Sequence, residues 1–197
     1  MDEKVVLHFQ SVDPVLFSAI RNSKPFTIEK SDDYFSDLVE AIICQQLSDK
    51  AGATIFGRFQ KLFPKEKITP EQVLSLTDLA IRNVGSSWSK VRYIKNIAQA
   101  TVDNTLNLNA IDTLTNEEII KELTKIKGIG PWTAEMFLMF TLGREDVFSH
   151  GDLGLNRAIQ NLYHFKKEPT RKQIEKISRK WSPYRTWACL LLWRTLD

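Results

Sequence analysis

Cysteine is nearly absent from this chain, with only Cys44 and Cys189 among 197 residues. Two thiols fall short of the four that an iron–sulfur cluster ordinarily takes, so no such cluster is expected. Both lie in apolar helical runs and read as buried thiols rather than as a disulfide. Histidine is scarce too, and His150 has neither Cys nor His partners nearby in sequence, which argues against a catalytic metal. No apolar stretch reaches the ~18 residues of a membrane span, and Met1-Asp2-Glu3-Lys4 opens no cationic leader followed by an apolar run. The expectation is an intracellular, soluble protein of cytoplasm and nucleoid (or nucleus), with no membrane partner.

There is no basic tail, internal repeat or low-complexity linker, and the formal charge is only +3. That charge is unevenly spread. Residues 1–60 carry 6 Lys/Arg against 9 Asp/Glu, and the remainder carries 21 against 15. The positive potential therefore lies C-terminal to residue 60, which permits phosphate binding but equally describes a solvated surface. The length suffices for a real core, as one domain or two small lobes.

The apolar pattern is helical. Tyr34, Phe35, Leu38, Val39, Ile42 and Ile43 recur at three- and four-residue spacing, and a second helix runs through Ala51, Ile55, Phe59 and Leu62. Thr69 with Gln72, Thr115 with Glu118, and Thr170 with Gln173 have capping-box spacing, and Pro70, Pro131 and Pro183 each suit a first helical position. Val15 to Ile20 supplies a further helix, and only Glu3 to His8 reads as a stray strand. Nine or ten helices are expected.

The segment Lys125-Ile-Lys-Gly-Ile-Gly-Pro-Trp132-Thr133 carries the most information. Two glycines flank one apolar residue between a helix that ends and a Pro-started helix that begins. Glycine tolerates positive φ and close backbone approach, so Ile129 can turn inward and pin the two helices together. The amides that open the second helix then aim at one point, a setting that favours an anion such as a phosphate oxygen. About twenty residues on stands Asp152, which reads either as the N-cap of a helix through Leu155, Ala158 and Ile159 or as a reactive carboxylate.

This hairpin and aspartate resemble those of the helix-hairpin-helix (HhH-GPD) base-excision DNA glycosylase superfamily, in particular its alkylation-repair, 3-methyladenine DNA glycosylase II branch. The resemblance rests on Gly128-Ile129-Gly130-Pro131-Trp132-Thr133-Ala134 and Val147-Phe148-Ser149-His150-Gly151-Asp152. Ile42-Ile43-Cys44-Gln45-Gln46-Leu47-Ser48, Lys90-Val91-Arg92-Tyr93-Ile94-Lys95 and Trp181-Ser182-Pro183-Tyr184-Arg185 leading to Trp193 add to it. It implies an all-α fold of two helical lobes with a cleft between them. Residues 1–30 would pack on the C-terminal lobe, 31–125 would form a lobe with a DNA wedge loop, and 126–197 would hold the hairpin and the catalytic aspartate.

The same resemblance implies roles. Asp152 would be the catalytic carboxylate, and Trp132, Trp193 and Met136 would line the base pocket, Met136 standing where close relatives place an aromatic. Gln46, flanked by Gln45 and Leu47, would be the wedge, unless these residues merely finish a helix. Lys127, Gly128, Ile129, Gly130, Thr133, Ser48 and Lys90 would hold the DNA backbone. A structural Na⁺ or K⁺ could sit on the carbonyls of Lys125, Lys127 and Gly130, with no other cofactor. Bifunctional relatives place a nucleophilic lysine where Trp132 stands. The implied activity is therefore a monofunctional glycosylase, a monomer acting on double-stranded DNA that contains 3-methyladenine, or 7-methylguanine, ethenoadenine or hypoxanthine. Two alternatives stay open: a glycosylase for oxidised or mismatched bases, and a non-enzymatic DNA-binding hairpin module.

Overall fold

A computed structural model of the chain describes residues 2–196, and no strand occurs among them. The described residues form two units, one running from Lys30 to Leu142 and the other joining the segment up to Glu29 with the segment from Gly143 onward. The boundary expected at 125/126 therefore falls inside the first of these, where the second hairpin helix packs on the first.

The N-terminal segment gives α1 (Glu3–Val12) and α2 (Pro14–Ile20). The expected strand at Glu3 to His8 is thus a helix. Asp2 caps it by accepting from the Lys4 amide, and Val5 and Phe9, one turn apart, are buried together. β-Branched Val5 and Val6 lean towards strand only weakly, and packing overrides that preference. Asp13 ends α1 and caps α2 through the Leu16 amide, and its other carboxylate oxygen accepts from Tyr163 Oη and from Trp181 Nε1 at 3.0 Å. Burial and the adjacent carboxylate push the Tyr163 hydroxyl far up, so it stays a donor.

The 30–142 unit contains α3 (Tyr34–Cys44), α4 (Asp49–Gln60), α5 (Pro70–Ser75), α6 (Asp78–Asn83), α7 (Trp88–Val102), α8 (Asn116–Thr124) and α9 (Pro131–Met136). A π-helical turn, Phe137–Thr141, extends α9. The unit's core joins Leu38, Ile42 and Ile43 of α3 to Val91, Ile94 and Ile97 of α7, and α3 packs on α4, α7 and α9. The other unit is completed by α10 (Leu153–Leu162), α11 (Arg171–Ser178) and α12 (Arg185–Trp193). There α10 packs on α2 and α12 around Leu16, Leu155, Ile159 and Leu191.

Thr115 and Thr170 form the full capping boxes expected from the spacing, whereas Thr69 caps α5 without the return bond expected from the Gln72 side chain. Pro183 does not open the last helix. It follows Ser182 through a cis peptide in the turn before α12, which begins at Arg185. Cys44 and Cys189 form no disulfide, and burial pushes the Cys44 thiol up. No helix among the described residues is long and apolar enough to cross a membrane.

Candidate functional site: a glycine hairpin and a capped carboxylate

Between α8 and α9 the chain reverses through Lys127, Gly128 and Ile129. Gly128 has φ +118°, and a β-carbon there would meet the Tyr93 ring base at 2.3–2.7 Å. Glycine is thus required on two counts, by conformation and by the close approach of α7. Ile129 turns inward and is buried, as its place between the glycines suggests. Gly130 differs. Its φ of −92° suits any residue, and nothing lies within 4 Å of where a β-carbon would stand. It precedes Pro131 as an N-cap without a side-chain bond, so the start of α9 carries no side-chain cap.

Two side chains from elsewhere in the unit tie this turn down, and a third holds the segment that carries one of them. Gln45 Nε2 donates to the Gly128 carbonyl at 3.2 Å and to Thr133 Oγ1 at 3.0 Å. Asn96 Nδ2 donates to the Lys127 carbonyl at 3.0 Å. Lys90 Nζ donates to the carbonyls of Ile43 and Gln45, both at 2.8 Å, at the end of α3. Lys90 was expected on the DNA backbone, but its ammonium instead satisfies carbonyls that α3 would leave bare. Partial burial lowers its pKa. Thr133 is buried with its hydroxyl engaged, so its side chain faces the protein.

Those bonds explain the next loop. Gln46 is exposed at φ +57°, a conformation uncommon outside glycine that persists where its surroundings fix it. Gln45 and Lys90 fix one side, and Ser48, capping α4 through the Ala51 amide, fixes the other. Of the expected wedge residues, Gln46 and Leu47 therefore stand outward, whereas Gln45 is an anchor. Lys127 is exposed, and Lys125 is exposed but ion-paired to Glu122 at 2.6 Å. Of the carbonyls expected around a cation, Lys127's accepts from Asn96 and Gly130's from the Ala134 amide. Among the described residues no cluster of three His, Cys, Asp or Glu could hold a metal.

Trp132 is 43% exposed on α9, Phe140 is exposed two turns further on, and Met136 between them is buried. The π-turn adds a residue to the helical cycle there, which rotates the following side chains relative to an uninterrupted α-helix.

In the other unit, Asp152 is the helix N-cap that its sequence position allowed. It caps α10, with Oδ1 accepting from the Leu155 amide at 2.7 Å, and only 9% of it is exposed. Trp193 Nε1, from the end of α12, donates to the same oxygen at 3.0 Å. The resemblance placed Trp193 in a base pocket, and its bond to Asp152 had no signal in the sequence. Trp181 and Trp187 are buried and Tyr184 is partly buried, all within the packing of this unit. His150 is half-buried against Phe148, and burial holds its pKa down.

Residues 39–183 match the HhH-GPD superfamily of base excision DNA repair proteins. DNA-3-methyladenine glycosylase 1 of Schizosaccharomyces pombe is 34% identical over 98% of this chain and 86% of its own length. A DNA-3-methyladenine glycosidase structure from Bacillus halodurans superimposes with a TM-score of 0.86 at 36% identity, covering 98% of this chain and 89% of that one. The S. pombe 3-methyladenine DNA glycosylase, solved with abasic DNA, also gives 0.86, at 34% identity over 98% and 96% of the two chains.

Proposed function

Because the chain belongs to the HhH-GPD superfamily of base excision DNA repair proteins, we propose that it excises alkylated purines such as 3-methyladenine from double-stranded DNA, as a monomer. The named activity of its relatives supports the substrate class. The observation that carries the reading is Asp152, a carboxylate fixed by two N–H donors, one residue past the sequence Ser149-His150-Gly151.

The chemistry is hydrolysis. The bond between C1′ and the base nitrogen breaks with its electron pair leaving on the base, and positive charge grows on the sugar. A fixed anion stabilises that oxocarbenium-like centre electrostatically. Water then adds to C1′ and loses a proton, to Asp152 or to solvent, leaving an abasic site. An N3- or N7-alkylated purine departs readily because it is already cationic, and the Trp132 face attracts such a cation by ~0.5–2 kcal/mol. Trp132 has no amine to attack C1′, which supports a glycosylase without lyase activity.

The Gly128–Gly130 turn, the uncapped start of α9 and exposed Lys127 support a grip on the DNA backbone, independent of sequence. Gln46, held outward, supports the role of filling the gap an extruded base leaves. Incubation with methylated genomic DNA tests the reading: free 3-methyladenine is expected, with no borohydride-trapped enzyme and no β-elimination product. Intact DNA bases, or a trapped covalent complex, overturn it.

A further inference from the structure

Gly154 is the second residue of α10, in its first turn, where glycine is a poorer helix former than alanine. It has no positive φ to explain it. Its neighbours do. A β-carbon at 154 would stand 3.1 Å from Asp152 Oδ1 and 3.3 Å from both Cδ1 and Nε1 of Trp193. These are the two ends of the hydrogen bond that links α12 to the carboxylate. The missing side chain is therefore a clearance, and the space it leaves is where the indole edge reaches Oδ1.

We infer that Gly154 and Trp193 are positioning residues for Asp152, so that the end of α12 sets the direction of the reactive carboxylate. The Leu155 amide arrives from within α10 and the Trp193 indole from α12, and both donate to Oδ1. Two donors on one oxygen, from different helices, fix its rotation and with it the direction of Oδ2. Oxocarbenium stabilisation depends on where the anion points, so small displacements weaken it. A methyl group at 154 needs a few tenths of an ångström that only the carboxylate or the indole can yield.

This inference rests on the proposed role of Asp152 and is tested beside it, by single-turnover release of 3-methyladenine and by binding of DNA with an abasic-site analogue. Trp193→Phe keeps an aromatic face and removes the N–H donor together with part of the indole ring system. Hydrogen bonds to charged groups are worth enough that a roughly tenfold to hundredfold loss in rate is expected, with analogue binding within about twofold of wild type. Gly154→Ala is expected to slow release roughly tenfold while its thermal midpoint equals or exceeds wild type, because alanine is the better helix former. A residue needed only for folding moves rate and midpoint down together. Wild-type rates in both variants, with Asp152→Asn inactive, overturn the inference and leave the carboxylate's role standing. Full activity in Asp152→Asn overturns that role instead.

Discussion

Replacing Gly128 by alanine has two separable costs. The first is conformational, since φ +118° is a region that residues with a β-carbon rarely occupy, at about 1–3 kcal/mol. The second is steric: the new carbon would lie 2.3 Å from Tyr93 Cγ and 2.5 Å from its Cβ, and overpacking of this kind adds about 1–3 kcal/mol. Together they reach roughly 2–6 kcal/mol, which for a chain of this size lowers the thermal midpoint by roughly 5–20 °C. The components separate in a double-mutant cycle measured by urea unfolding. In a Tyr93→Gly background the ring and its Cβ are both gone and the strained backbone persists, so Gly128→Ala is expected to cost about 1–3 kcal/mol less there than in wild type. Equal costs in both backgrounds refute the steric half. A Gly128→Ala midpoint within about 1 °C of wild type refutes both.

Two further outcomes are expected. Gln46→Ala should slow base release from a paired duplex more than from a mismatch at the same lesion, because a mismatched base is already easier to extrude; equal losses contradict the wedge. Asp146 is pushed up by burial, but its bonds to Arg185 at 2.6 Å and to Ser182 outweigh this and hold its carboxyl below the usual value of 3.8. The folded state therefore releases that proton more readily than the unfolded chain. Its contribution is complete well above pH 3.8 and is lost as the pH falls through the folded-state value. Unfolding of wild type and Asp146→Asn should accordingly differ at pH 6 and converge towards pH 3, and a difference that widens in acid would be wrong in sign.

Local chemistry made much of the fold legible in the sequence. Thr115 with Glu118 and Thr170 with Gln173 mark helix starts because a capping box is written within four residues. Ile129 reads as inward because only a buried residue pins such a turn. Legibility ends where partners are far apart in the chain. Lys90 looks like a phosphate ligand until α3 brings its carbonyls from 45 and 47 residues away. The two glycines of the turn look equivalent, yet Tyr93, 35 residues earlier, makes only Gly128 obligatory. Trp193 reads as a pocket wall because nothing in a sequence announces that its N–H meets Oδ1 of a residue 41 positions away. Glu3 to His8 shows a different failure, a weak β preference overruled by burial of Val5 and Phe9.

Asp152→Asn keeps the shape of the side chain and an oxygen for the Leu155 and Trp193 donors, and removes the charge. Single-turnover release of 3-methyladenine from an alkylated duplex measures that charge directly. Release is expected to fall at least about a thousandfold, a loss in keeping with the several kcal/mol that preorganised electrostatic stabilisation supplies, while an abasic-site analogue still binds. Release at the wild-type rate would contradict the account at its root.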